Sequence, residues 1–325
     1  MARAQRLNHL RPSGVVLISV LLIVSLLTAL VYKLVDRHSL TIAQTQNAFS
    51  SDQTIAYAIG GESYARQILK EDFDRSEERM DGLTESWAQP LVPFEVENGG
   101  VMEIQIRDLN SCFNLNSLAA NDYKAHLTQF KTLLRNLNIP DVIAEKWRDW
   151  VDADANIEGF GAEDGEYLLL ENGYRTANRR AGHWSELRLL QGMEPEQAAL
   201  LAPYVCTLPD DGLRLNINTA SGTALASLNA DLAPGSLDAF MDGDRAYTEV
   251  GDLTSQFPAL VAAAGALGVT SEYFLVQIRA EQGTSITTIA SILHRDPVDG
   301  AIRLISRDFG QDFHRRFDPL GEVKG

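Results

Sequence analysis

Apolar and polar residues alternate along this chain in three distinct rhythms. Eighteen residues from Val15 to Tyr32 carry no charge at all. As a helix they span about 27 Å at ~1.5 Å per residue, enough to cross a bilayer core of roughly 30 Å. From Val35 to Phe73 no proline intervenes, and the pattern predicts that the same helix continues. Ile42, Phe49, Ile55, Ile59, Tyr64 and Ile68 supply its expected apolar face, with a softening or kink at Gly60-Gly61. A period of two follows: Met102, Ile104 and Ile106 alternate with Glu103, Gln105 and Arg107, downstream of an Asn98-Gly99 turn signal. Residues 90–110 therefore predict two hairpin strands.

The period then lengthens again. From Asn114 to about Gly265 the phrases "NDYKAHLTQFKTLLRNLNIP", "DVIAEKWRDWVDAD", "WSELRLLQGM" and "PEQAALLAPYV" read as short helices, the first stopped by Pro140. "EYFLVQIRAEQ", "SITTIASILHRD" and "AIRLISRDFG" return to strand, β-branched and separated by turn signals such as Asp299-Gly300. The expected fold class is α+β: a long N-terminal helix packed on an antiparallel sheet that a large all-α insert interrupts. By residue, 15–35 is the membrane part of the helix, 36–112 its remainder with the first strands, 113–265 the insert, 266–310 the closing strands and 311–325 a tail.

Three readings of the N-terminus compete: a cleaved secretion signal, a plain anchor, and a segment processed in some other way. Arg3, Arg6 and Arg11 precede the apolar run, so the N-terminus stays cytoplasmic and the bulk of the chain is exported. No small-residue cleavage site follows the run; Lys33, Asp36 and Arg37 do, which disfavours a signal peptide. A plain anchor explains everything except Gly14, which stands at the junction of charged leader and apolar helix.

The formal net charge is -16, and it becomes -19 if the leader and its three arginines are removed. Such acidity opposes binding to a phosphate backbone and suits divalent cations or basic protein partners. Only Cys112 and Cys206 are present. In an oxidising compartment they can form a disulfide between the start and the middle of the helical region, the alternative being two separate buried thiols.

The sharpest local signal for chemistry is "DWVDADANIEGFGAEDGEY" at 149–167. Asp152, Asp154 and Asn156 stand at positions 1, 3 and 5 of an oxygen-ligand loop, and Glu163 at position 12. Calcium takes six to eight oxygens at about 2.3–2.6 Å. Ile157 replaces the turn glycine of an EF-hand, so the expected site is a looser one using Asp152, Asp154, Glu163 and Asp164, against a solvated acidic loop as the alternative. A second phrase, "LNINTASGTALASL" at 215–228, looks like half of a helix-hairpin-helix unit, but no glycine hairpin follows it. There Asn216 and Thr219 are expected to cap a helix starting at Thr219 or Ala220. The six histidines are scattered, and no nucleophile motif, phosphate loop or dinucleotide fingerprint occurs, which speaks against an enzyme.

Gly14 followed by an apolar helix resembles the leader of type IV pilins and type II secretion pseudopilins. That resemblance implies cleavage by a prepilin peptidase between Gly14 and Val15, methylation of the processed chain, and retention of the apolar segment as half of a long helix. A long helix feeding an antiparallel sheet is the scaffold of these families. Most members carry a glutamate five residues after the cut, where this chain has Ser19. That departure fits the K-type minor pseudopilin, which lacks the acid. A buried carboxylate needs a partner, and a subunit at the tip of a fibre has no predecessor to pair with. Ser19 can instead bond back to its own helix.

The phrases "DWVDAD", "GAEDGEY", "YRTAN", "FNLN" and "NINTAS", at Asp149–Asp154, Gly161–Tyr167, Tyr174–Asn178, Phe113–Asn116 and Asn216–Ser221, are similar to that family too. The resemblance implies a minor pseudopilin at the tip of the type II secretion pseudopilus, initiating and capping the fibre. It would be anchored once in the inner membrane, with its head in the periplasm. It also implies bound calcium, partnership with the I and J types, and no nucleic acid. A membrane-anchored DNA-uptake protein using 215–228 and an anchored calcium module unrelated to fibres are the rival readings.

Overall fold

The computed structural model describes residues 13–75, 79–89, 91, 93–96, 99–233, 235–241 and 243–310. The leader up to residue 12, Asn98 of the hairpin turn and the tail 311–325 lie outside them. One helix, α1 (Ser13–Arg75), runs for 63 residues, about 94 Å at ~1.5 Å per residue. It passes through Gly60 and Gly61 without a break. The two glycines have different surroundings: a Cβ on Gly60 would meet nothing, whereas one on Gly61 would sit 2.8 Å from Met102 Sδ and 3.1 Å from Ile278 Cγ2. Gly61 is therefore a contact point that lets the helix lie close on the sheet.

The buried stripe of α1 is not the one read from its large apolar residues. Thr54, Ala58, Gly61, Glu62, Ala65 and Leu69 face the sheet, while Phe49, Ile59 and Tyr64 stay exposed at 66%, 39% and 46%. Close helix–sheet approach selects small side chains, and the large ones are left facing outward.

The sheet has five antiparallel strands in the order β1-β2-β7-β8-β9. The outer hairpin is β1 (Phe94–Val96) and β2 (Gly100–Asp108), with Gly99 at φ +74° between them. Met102, Ile104 and Ile106 are buried against α1, and the polar residues between them are half-buried. β2 then pairs with a strand more than 160 residues away, Ile104 opposite Ile278. The sheet closes with β7 (Tyr273–Gln282), β8 (Ser285–Arg295) and β9 (Ile302–Asp308). Glu62 locks the outer strand to α1: its carboxylate accepts from Arg307 Nε (2.7 Å) and Nη2 (2.9 Å) and from Ser291 Oγ (2.6 Å).

Everything between β2 and β7 forms the insert. Its helices are α2 (Lys124–Asn136), α3 (Val142–Val151), α4 (Asp164–Tyr167), α5 (Pro195–Leu201), α6 (Gly222–Ala226), α7 (Asp238–Met241) and α8 (Val250–Gln256). They enclose a separate core in which Phe113, Phe130, Leu133, Trp147, Tyr167 and Leu225 are fully buried. The insert is not wholly helical. Two short parallel pairs, β3 (Phe113–Asn114) with β4 (Val205–Cys206) and β5 (Leu215–Asn216) with β6 (Leu267–Gly268), tie its start to its middle and its middle to its end. The second pair carries the insert past Gly265. Cys112 and Cys206 are joined by a disulfide beside the first pair, with Cα atoms 5.8 Å apart.

The helix expected at Thr219 or Ala220 begins instead at Gly222, capped by Ser221 Oγ, which accepts from Ala224 N (3.1 Å). Asn216 and Thr219 are buried and point to Asp108 at the end of β2. Asn216 Nδ2 and Thr219 Oγ1 are spent on joining insert to body, Asn216 Oδ1 accepts from Asn218 N (3.0 Å), and neither side chain caps α6.

Candidate metal site and membrane helix

The acidic loop leaves α3 and is folded back by its own carboxylates. Asp149 Oδ1 accepts from Glu158 N (3.0 Å), and Glu145 Oε2 accepts from Phe160 N (3.0 Å). Gly159 adopts φ +58°, and a Cβ on Gly161 would lie 1.9 Å from Asp149 Oδ2, so this bend admits only glycine at both places. The loop ends in a capping box on α4, where Glu163 N donates to Glu166 Oε2 (3.0 Å).

Four oxygens in and beside the loop are buried without a hydrogen-bond partner: Asp149 Oδ2, Asp152 Oδ1, Glu163 Oε1 and Asn178 Oδ1. The second polar atom of Asp152, Glu163 and Asn178 is in each case satisfied. Arg148 Nε lies 3.3 Å from Asp152 Oδ2, Thr176 Oγ1 donates to Glu163 Oε2 (3.0 Å), and Asn178 Nδ2 donates to the Asp154 carbonyl (3.1 Å). Buried oxygens left bare are costly, and a cation is the group that would satisfy several at once. Burial pushes the Asp152 carboxyl up to about 6, helped by the charges of Asp154 and Glu163 and opposed by Arg148. Asp149 is pushed to about 7, again chiefly by burial. Glu163 is raised for the same reason.

Not every sequence candidate joins this group. Asp154 is exposed, and its Oδ1 accepts from both Asn156 N (2.8 Å) and Asn156 Nδ2 (2.6 Å). Asn156 is exposed beside it. Asp164 is drawn off altogether: Arg175 Nη1 donates to Oδ2 (2.6 Å), and Thr176 N donates to Oδ1 (3.0 Å), where the Thr176 hydroxyl, shared with Glu163, also lies in reach (3.1 Å). Asn178, absent from the candidate set, supplies a buried oxygen instead. Its signal was its place in the "YRTAN" phrase, which brings a positive-φ residue (φ +43°) back over the loop. The buried, bare oxygens that could face a hard, oxygen-seeking cation are thus those of Asp152, Glu163 and Asn178, together with Asp149 Oδ2.

At the other end of the molecule, α1 is long and apolar enough near its N-terminus to cross a membrane, and that window is wholly unburied. Inside it Ser19 Oγ donates to the Val15 carbonyl (2.8 Å), so its hydroxyl is satisfied within the helix. The arrangement is that of a single-pass anchor carrying a globular domain.

Comparison with known proteins agrees with this architecture. A family model described as type II secretion system protein K matches residues 111–210. The type II secretion system protein K of Pseudomonas aeruginosa is 36% identical over 314 residues, covering 92% of this chain and 93% of that one. The protein of the same name from Pectobacterium carotovorum is 32% identical, covering 92% and 97%. That of Aeromonas hydrophila is 32% identical, covering 88% and 93%. Among solved structures, the GspK-GspI-GspJ complex from enterotoxigenic Escherichia coli contains a chain that superposes with a TM-score of 0.71 at 24% identity, over 83% of this chain and all of that one. The same helix, sheet and insert therefore recur at low identity, and the sequence likeness extends over nearly the full length of the curated relatives. The chain belongs to the type II secretion system protein K family, the K-type minor pseudopilins.

Proposed function

We propose that this protein starts and caps the type II secretion pseudopilus from the inner membrane, with its head in the periplasm. The observation that carries the reading is the outward face of α1. From Val15 to Phe49 the helix is uncovered, and the apolar Ile42 and Phe49 beyond the membrane segment are 55% and 66% exposed. Such a surface calls for neighbouring helices. The solved relative assembles with GspI and GspJ, and the corresponding minor pseudopilins are the partners proposed here. The insert supports the terminal position: it doubles the bulk of the head, which obstructs stacking of a further subunit above it. The role is structural, with no reaction catalysed by the chain.

Processing by the prepilin peptidase after Gly14 would leave Val15 as the new N-terminus and the site of methylation. Intact mass of the protein from secreting cells tests this; a chain still starting at Met1 overturns it. Co-purification with the I and J types is the matching test of assembly, and a chain always recovered alone refutes it.

The acidic loop would hold calcium through Asp152, Glu163 and Asn178. The ion would supply positive charge to a buried acidic bend and so fix the chain between α3 and α4. Ligand binding to the folded state raises stability by about 2.7 kcal/mol at a hundredfold excess over Kd. Calcium should therefore raise Tm and EDTA should reverse the gain; a Tm indifferent to both removes the site.

A further inference from the structure

Insert and body meet through a second group of buried carboxylates, remote in sequence from the acidic loop. Asp108 is 3% exposed. Its Oδ2 accepts from Thr219 Oγ1 (2.5 Å), Ser271 Oγ (2.6 Å) and Asn216 Nδ2 (3.2 Å), and its Oδ1 from Asn110 N (2.6 Å). Asp81 accepts from Ser271 N (2.7 Å) and from Arg295 Nη2 (2.5 Å), and its carbonyl takes Asn216 Nδ2 (2.9 Å). Asp72 on α1 lies 3.5 Å from Arg295 Nη1. Glu85 accepts from Gly82 N (2.9 Å) and Trp87 Nε1 (3.0 Å). Oxygens of Asp72, Asp81 and Glu85 all lie within 4.8 Å of one another.

Among the described residues two guanidiniums act on this group: Arg295 reaches into it, and the buried Arg107, next to Asp108 in β2, interacts with that carboxylate electrostatically. The other charges bordering it are more exposed: Arg79 stacks over the Phe73 ring, and Glu272 faces Arg214 (3.7 Å) and His294 (3.8 Å). Four carboxylates facing two arginines would carry two uncompensated negative charges if all were ionised, and clustered acids away from water do not all ionise. Burial, with the charges of Glu85 and Asp81, raises Asp72 to about 7, and burial raises Asp108 to about 6. A cleft of about 50 Å³ lined by Asp72, Asp81, Ser271 and Arg295 gives water a way in.

We propose that the junction is a proton-linked hinge: a proton held among Asp72, Glu85 and Asp108, the acids grouped around the Asp81–Arg295 pair, keeps the insert docked, and losing it loosens the insert from the body. When the junction opens, its acids meet water and ionise near their ordinary values, so opening releases the proton. Docking is accordingly tightest at low pH. It weakens as pH rises from about 4 to about 7, by up to about tenfold per pH unit for one proton, and is level above that.

Hydrogen exchange on the full-length chain in detergent, with EDTA and corrected for chemical exchange rates, tests the hinge between pH 5.5 and 8.5. The reporters are amides that cross or brace the junction: Asp81 N to the Val269 carbonyl (2.8 Å), Asn216 N to the Asn110 carbonyl (2.9 Å) and Ser271 N. Their protection should fall several-fold to tenfold per unit up to about pH 7, while central amides of β7 and β8 keep a constant ratio. Asp72→Asn, which removes one acid whose contact is a long one to Arg295, should flatten the slope without unfolding the chain. Protection independent of pH in the wild type overturns the proposal. So does an undiminished slope in both Asp72→Asn and Asp108→Asn. A slope that millimolar calcium abolishes overturns it as well, because the cluster would then be taking a metal ion rather than a proton.

Discussion

Glu62→Ala removes a buried carboxylate that fastens the outer strand of the sheet to the long helix. Glu62 is 1% exposed. It accepts two hydrogen bonds from Arg307, one from Ser291 at 2.6 Å, and pairs with Arg66 one turn along. Burial alone would raise its pKa. The hydrogen bonds and charge of Arg307, with the bond from Ser291, outweigh that and hold the carboxyl below its ordinary value. Truncating one partner of a buried ion pair costs about 3–5 kcal/mol. Here the side chains of Arg307 and Arg66 are 25% and 34% exposed, so water can resolvate both, and the cost falls to about 2–3 kcal/mol. Ser291 stays buried and loses its acceptor, which sets the lower bound. Urea unfolding of the solubilised chain should show the loss, together with faster hydrogen exchange in β9. Because the folded pKa is lowered, Glu62 stabilises fully above the unfolded value near 4.5 and loses that contribution as pH falls through the folded one. A midpoint shift worth less than about 1 kcal/mol, or a β9 whose exchange is unchanged, would mean that the clamp is ornamental and that backbone pairing to β8 alone holds the edge.

Other outcomes follow from single features of the structure. Gly300→Ala forces a side chain into φ +69° and places its Cβ 2.3 Å from Phe73 Cδ1, so Tm should drop by several degrees for a cost of about 1–3 kcal/mol; an unchanged Tm refutes it. Reduction of the Cys112–Cys206 bond opens a loop of 94 residues and should lower stability by about 2–4 kcal/mol, read as a lower urea midpoint in dithiothreitol. Asp152→Asn should act with two signs: in EDTA it raises Tm at neutral pH, because burial disfavours the ionised carboxyl, and it abolishes the gain from calcium. A calcium gain that survives the substitution would show that Asp152 is not a ligand. Gly61→Leu should be poorly tolerated while Gly60→Leu is neutral or better, since only the first drives atoms into Met102 and Ile278.

The chain's own order of residues decided its elements because each rests on a local period. The uncharged run at Val15–Tyr32, the alternation of Met102, Ile104 and Ile106, and the β-branched closing strands needed no knowledge of their partners. Even the disulfide was open to inference, since export leaves two cysteines few other roles. Which face of α1 is buried was beyond such reading. Large apolar residues mark a core face when space is free, but here Met102, Ile104 and Ile278 press so near that Ala58, Gly61 and Ala65 are selected, and Phe49 and Tyr64 turn outward. The acidic loop was recognisable from spacing. Which of its oxygens are buried and left bare was not, because Asp164 is captured by Arg175 and Thr176, while Asn178 arrives from a segment that spacing cannot connect. The roles of Asn216 and Thr219 were likewise decided at a distance, by Asp108 more than a hundred residues earlier. Periodicity is a property of neighbours in sequence, whereas burial of a polar atom depends on what the fold brings beside it, and only the assembled body and insert determine that.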